Sequence, residues 1–157
     1  MSKYYNLSPY TTKGLHKKFD EKLLQIFDIP AREKIKNILG DYVMDNPNIK
    51  QQDLIINSST CKYKYLELQV CCQWVQENYP YDNLYIYETK ARYGNDTLFL
   101  ILNKFLTRCY LFDRQSFDNI EPTRLKKYSR LFVYKIPWNR AIKLFVANLD
   151  KETIEMY

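Results

Sequence analysis

One histidine, three glycines and four cysteines are all that this 157-residue chain offers to the chemistries that depend on those residues. With His16 alone, and on what reads as a helix surface, Ser-His and Cys-His nucleophilic machinery is excluded. Three glycines argue against a Gly-rich phosphate-binding loop. Cys61, Cys71, Cys72 and Cys109 form no Cys-x-x-Cys pair, which disfavours a zinc site. They read instead as reduced, core-filling thiols of an intracellular protein. No segment approaches the roughly 20 apolar residues of a membrane span, so no membrane association is expected. No apolar run follows a basic start, so a signal peptide is not expected either.

What is present is aromatic and basic. Fifteen tyrosines accompany eight phenylalanines and two tryptophans, in a chain that is 46% hydrophobic and 27% charged. That composition belongs to one globular domain with a closed core. Lysine and arginine outnumber aspartate and glutamate by 24 to 18, for a formal charge of +6. A basic domain gains affinity for polyanions by releasing their counterions, so nucleic acid is the expected partner, with ordinary solubility charge as the alternative.

The hydrophobic period divides the chain. Residues 1–12 read as a polar, aromatic arm. Leu15, Phe19, Leu23, Leu24, Ile26 and Phe27 recur at helical spacing and predict an amphipathic helix over 13–27. Asp28-Ile29-Pro30 starts a second helix, with its apolar face at Ala31, Ile35, Ile38 and Leu39 and a stop at Gly40. From residue 51 the period becomes two. Asp53–Asn57 and Lys62–Cys72 predict a hairpin, Leu84–Tyr93 a third strand, and Thr97–Leu102 a central strand paired with Thr107–Phe112. Pro122-Thr123-Arg124-Leu125 suggests a short helix, and Leu131–Tyr134 a further strand. The expected fold is α+β (or α/β): a single domain with a mixed sheet of about five strands and two N-terminal helices packed on it. Within it, 13–40 is helical, 51–113 is the β-rich core and 114–157 is a basic, aromatic tail.

One constellation in that core can carry chemistry. Asp53 opens the first hairpin strand, and Glu67-Leu68-Gln69 follows fourteen positions later on the second. Two carboxylates on adjacent strands can share a divalent cation. An aspartate followed on the next strand by Glu-x-(Lys or Gln), after a helix, resembles the PD-(D/E)xK nuclease superfamily over residues 14–113. The resemblance implies a restriction-endonuclease-like core, Asp53 and Glu67 as Mg²⁺ ligands, and a metal-dependent endonuclease or exonuclease activity. The chain departs from the family pattern in three places. Gln52 stands where a proline would precede the aspartate, Gln69 replaces the usual lysine, and the segment 71–80 is short for the helix that normally follows. An amide can orient a water but cannot deprotonate it at neutral pH. Glu88-Thr89-Lys90 supplies a second Glu-x-Lys, which makes Glu88 an accessory residue and Lys90 the substitute for the missing lysine. The bland reading of any Glu-x-Lys on a strand is a solvated face.

Downstream, Arg124, Lys126, Lys127, Arg130, Lys135, Arg140 and Lys143 interleave with Tyr128, Phe132, Tyr134 and Trp138. Cations suit phosphates and aromatic faces suit unstacked bases, so this segment is the expected nucleic-acid contact. The abundance of Asn, Lys, Tyr and Ile, with Pro122–Tyr128 and Ile136-Pro137-Trp138, resembles proteins of large cytoplasmic DNA viruses. That likeness implies the cytoplasm or virion as location and viral structural proteins as partners. The competing expectations are therefore a metal-dependent nuclease-like domain, and an inactive virion, structural or nucleic-acid-binding protein on the same scaffold.

Overall fold

A computed structural model describes residues 24–48, 50–125 and 131–157, together with the two-residue strands β1 (Lys3–Tyr4) and β2 (Lys18–Phe19). The architecture is α+β: among the described residues eleven strands form a six-stranded main sheet, a three-stranded sheet and the β1–β2 pair, with a helix packed on the main sheet. The chain enters through a π-helical turn, Leu24–Asp28, which runs into α1 (Ile29–Leu39). Pro30 sits in the first turn, where its missing N–H has no helical acceptor to serve. Ala31, Ile35 and Leu39 form the buried face, and Gly40 ends the helix at φ +55, a conformation that favours glycine.

Six strands make the main sheet: β3 (Val43–Asp45), β4 (Leu54–Ile56), β5 (Tyr65–Cys71), β7 (Thr97–Asn103), β8 (Arg108–Asp113) and β11 (Ile142–Phe145). Their order is β11-β8-β7-β5-β4-β3. β5 and β7 run parallel in the centre and every other pair is antiparallel. A parallel pair needs a long crossover, and here residues 72–96 supply it. That crossover carries β6 (Leu84–Tyr87) away to a second sheet, where it pairs with β10 (Phe132–Ile136), which in turn pairs with β9 (Thr123–Arg124).

The two faces of the main sheet are covered differently. Leu66, Leu68, Leu98, Leu100 and Leu102 pack toward α1 and the short C-terminal helix α2 (Lys151–Met156). Asp150 caps α2 by accepting from the Thr153 backbone N–H at 2.8 Å. On the opposite face Phe99, Ile101, Tyr110 and Phe112 meet Trp74, Leu84, Ile86, Phe117 and Ile136 from the crossover and the second sheet. β7 is buried along its whole length, as expected of a strand with both faces covered.

Four sequence expectations need correction. The main sheet has six strands rather than about five, and a separate three-stranded sheet accompanies it. The third strand stops at Tyr87, because Lys90 N–H and Ala91 N–H both donate back to the Tyr87 carbonyl and bend the chain into a turn. The expected helix over 13–27 is interrupted, since Lys18–Phe19 is extended and paired with Lys3–Tyr4 and Leu24–Asp28 is π-helical; its remaining residues lie outside those described. Thr123–Arg124 is a strand, not the start of a helix.

Candidate functional site

The β4–β5 ladder reaches Leu54 opposite Leu66 and goes no further. Where the next backbone pair would form, side chains replace it. The Asp53 backbone N–H donates to Glu67 Oε1 at 3.0 Å, and the Leu68 backbone N–H donates to Asp53 Oδ2 at 2.9 Å. Each carboxylate thus satisfies the main chain of the other strand, as short acidic side chains do where a regular ladder ends. This reciprocal capping brings Asp53 and Glu67 together at the splayed end of the hairpin.

Lys90 completes the cluster from the turn after β6. Its Nζ donates to Glu67 Oε2 at 3.0 Å and to the Leu68 carbonyl at 2.8 Å. The Glu67 side chain is 6% exposed and that of Lys90 23%, so the buried carboxylate reaches solvent past the lysine. Asp53 is half-buried. Burial, reinforced by the adjacent Asp53 charge, pushes the Glu67 carboxyl up to about 8, against the pull of Lys90. Burial disfavours the Lys90 ammonium, but the charges of Glu67, Asp53 and Asp28 outweigh it and hold that group above its ordinary range. Both shifts describe one arrangement: a charged Lys90 ion-paired with a buried Glu67 whose carboxyl is held above the ordinary carboxylate range.

Asp28 escaped the sequence reading, in which it served only as the residue before a helix. It is exposed at the mouth of α1, makes no capping bond there, and its charge bears on Lys90. The turn that holds it packs on β5. Nothing in the sequence around Asp28-Ile29-Pro30 signalled this.

The other expected site residues divide. Gln69 faces the second sheet, where its Nε2 donates to the Tyr85 carbonyl at 2.6 Å and its Oε1 accepts from the Tyr87 N–H at 3.4 Å. The amide stands in for a neighbouring strand along the open edge of β6, so it is committed to structure rather than to a water. Glu88 is buried just past β6 and contributes to the raised Tyr134 hydroxyl, after burial and against Arg114. It is not among the main charges acting on Glu67 or Lys90. Arg124 is exposed on β9 with its guanidinium over the Phe132 ring, and Lys135 Nζ lies over Tyr85. Arg140 donates to the Ser116 and Asp118 carbonyls. Lys126, Lys127 and Arg130 lie outside the described residues.

Among the described residues no set of three or more His, Cys, Asp or Glu side chains is grouped to hold a metal ion. The donor set that does meet, one buried and one half-buried carboxylate, is of the kind a hard cation such as Mg²⁺ takes, which commonly binds one or two carboxylates and completes its shell with water and phosphate. Neither thiol nor imidazole is among those donors, so a zinc-type site does not fit. Among the described residues no helix is long and apolar enough to cross a membrane. Against protein-family models, curated proteins and solved structures, the chain finds no match.

Proposed function

We propose that this chain is a metal-dependent nuclease-like domain that binds nucleic acid and cleaves its phosphodiester backbone inside the cell. The observation that carries the reading is the meeting of Asp53, Glu67 and Lys90 at the end of the β4–β5 ladder. Asp53 and Glu67 would hold Mg²⁺, since a carboxylate oxygen that accepts one N–H keeps a second lone pair. When bound, such an ion supplies Lewis-acid polarisation of the phosphate and an acidified water. Lys90, arriving from another sheet, takes the place that Gln69 has left. Its ammonium keeps its proton, so it holds a phosphate oxygen or orients a water and does not serve as a base at neutral pH. Arg124 and Lys135 belong to the surface that would follow the backbone. The helix that precedes the carboxylate-bearing hairpin supports this reading, which would make the core restriction-endonuclease-like.

A second reading has its own support. Glu67 is buried, satisfied on both oxygens and paired, so the cluster also works as an internal staple of an inactive nucleic-acid-binding scaffold, for example in a virion. Incubation with supercoiled DNA, linear DNA and single-stranded RNA in Mg²⁺ or Mn²⁺ separates the two. Cleavage that disappears in Asp53→Asn and Glu67→Gln supports the enzyme. Salt-sensitive binding without turnover supports the scaffold, and neither result removes both.

A further inference from the structure

Next to the carboxylate cluster lies a cavity of about 490 Å³, lined by Gln51, Tyr65, Tyr93, Gly94, Asn95 and Asp96. Its walls connect to the cluster in three ways. Gln51 and Gln52 lead directly into Asp53, and Gln52, which also lines the cavity, is locked by its Nε2 bond to Thr97 Oγ1 at 2.9 Å. Tyr65 lies two residues before Glu67 on the same face of β5, a step of roughly 6.5–7 Å. The Tyr93 hydroxyl lies within the field of the Glu67 charge.

The lining chemistry selects the ligand part. Among the described residues no lysine or arginine lines the cavity, so no cation there meets a phosphate. It offers instead amides from Gln51 and Asn95, the Gln52 carbonyl oxygen, the Asp96 carboxylate, whose Oδ1 also accepts from the Thr97 hydroxyl at 3.2 Å, and the half-buried ring of Tyr65. The volume falls in the range of small-molecule sites, roughly 300–1,000 Å³, and accommodates a base with its sugar. A carboxylate only accepts hydrogen bonds. Guanine presents two parallel donors on one edge, N1–H and the N2 amino group, and so can engage both oxygens at once. Uracil and thymine present a single N–H there.

We propose that this cavity receives one unpaired nucleobase of the strand whose phosphate the carboxylates address, with guanine preferred through Asp96. The inference rests on the nuclease-like reading for its neighbour, but its test does not. An isotope-labelled full-length chain is titrated with guanosine and with uridine, in chelator and without metal, while backbone amide shifts are followed. Guanosine is expected to shift Gly94, Asn95 and Asp96 saturably, and uridine to bind about tenfold more weakly, the usual scale for a lost charge-assisted hydrogen bond. Asp96→Asn should erase that preference, and Tyr65→Leu should weaken both nucleosides about tenfold through lost stacking. Equal affinity for the two nucleosides, shifts confined elsewhere, or no saturable shift at all overturns the proposal. Asp53→Asn should leave the shifts intact, so a chain that binds guanosine yet never cleaves would keep the pocket and lose the enzyme.

Discussion

Phe99 and Leu100 are neighbours on the central strand and point into two different interiors. Leu100 enters a mainly aliphatic layer closed by helices, in which Tyr63 is the buried aromatic exception and donates its hydroxyl to Asp113 Oδ2 at 2.6 Å. Phe99 enters an aromatic layer closed by a three-stranded sheet. That small sheet leaves strand edges and turns that must be satisfied by side chains. Gln69 serves the edge of β6, the Tyr79 hydroxyl accepts from the Tyr85 N–H at 3.1 Å, and Trp74 Nε1 donates to the Glu77 carbonyl at 3.3 Å. Glu67 sits on this side, between Tyr65 and Gln69 in the alternation of β5. A face closed by helices leaves few backbone groups for side chains to satisfy, and here the Tyr63–Asp113 bond is buried on that side. A face closed by a small sheet needs polar side chains, and there a carboxylate can stay buried beside a cation.

Truncations on the two faces should break the comparison most visibly. Phe99→Ala should cost about 3–5 kcal/mol and Leu100→Ala about 2–5 kcal/mol in denaturant unfolding, since both side chains are fully buried. Their side effects should differ. Phe99 is the register partner of Glu67, so its loss admits water to the carboxylate and brings Glu67 back toward its ordinary range. Leu100→Ala should leave the titration of Glu67 unchanged. Carbon-13 detection of the Glu67 carboxyl through a pH series measures both.

Next in size is Glu67→Ala, expected to destabilise by about 3 kcal/mol because it strips the half-buried Lys90 ammonium and the Asp53 N–H of their partner. Lys90→Met should cost less, because the abandoned Glu67 carboxyl can take up a proton and become neutral. If the two variants cost the same, protonation of Glu67 does not relieve the loss of Lys90.

The pH dependence of stability sharpens the same point. The Glu67 carboxyl rises from 4.5 in the open chain to about 8 in the folded one. Across that window the folded chain binds a proton that the unfolded chain lacks, so the Glu67 contribution to stability falls as pH rises and levels off above it. Glu67→Gln should remove this slope, seen as the difference between wild-type and variant unfolding free energies from pH 5 to 9 in chelator. The smallest expected effect is that of Gln69→Leu, about 1–2 kcal/mol for two bonds lost along the β6 edge, with the cluster intact.

What the sequence disclosed follows from how local each contact is. The hairpin that joins Asp53 to Glu67 spans fourteen residues, and period-two alternation fixes its register, so the pairing was legible. The central strand and its β8 partner were legible for the same reason. Lys90 was placed on a strand; its actual place, in the turn after β6, depends on a crossover into a second sheet whose β6–β10 pairing joins residues far apart in the chain. No short-range pattern encodes that pairing. Gln69 was given to the chemistry because its spacing suited it, whereas an unpaired strand edge claimed its amide. The cavity is built partly by Gly94, Asn95 and Asp96, which lie between the segments read as the third strand and the central strand and carried no signal of a cavity.

The central claim is that Asp53 and Glu67 form one cation site. Calorimetric titration of the full chain with Mn²⁺ tests it without any substrate. Saturable uptake of one equivalent, lost in both Asp53→Asn and Glu67→Gln while each variant keeps its circular-dichroism spectrum, is the predicted result. No saturable uptake by the wild type, or uptake unchanged in the two variants, would contradict it.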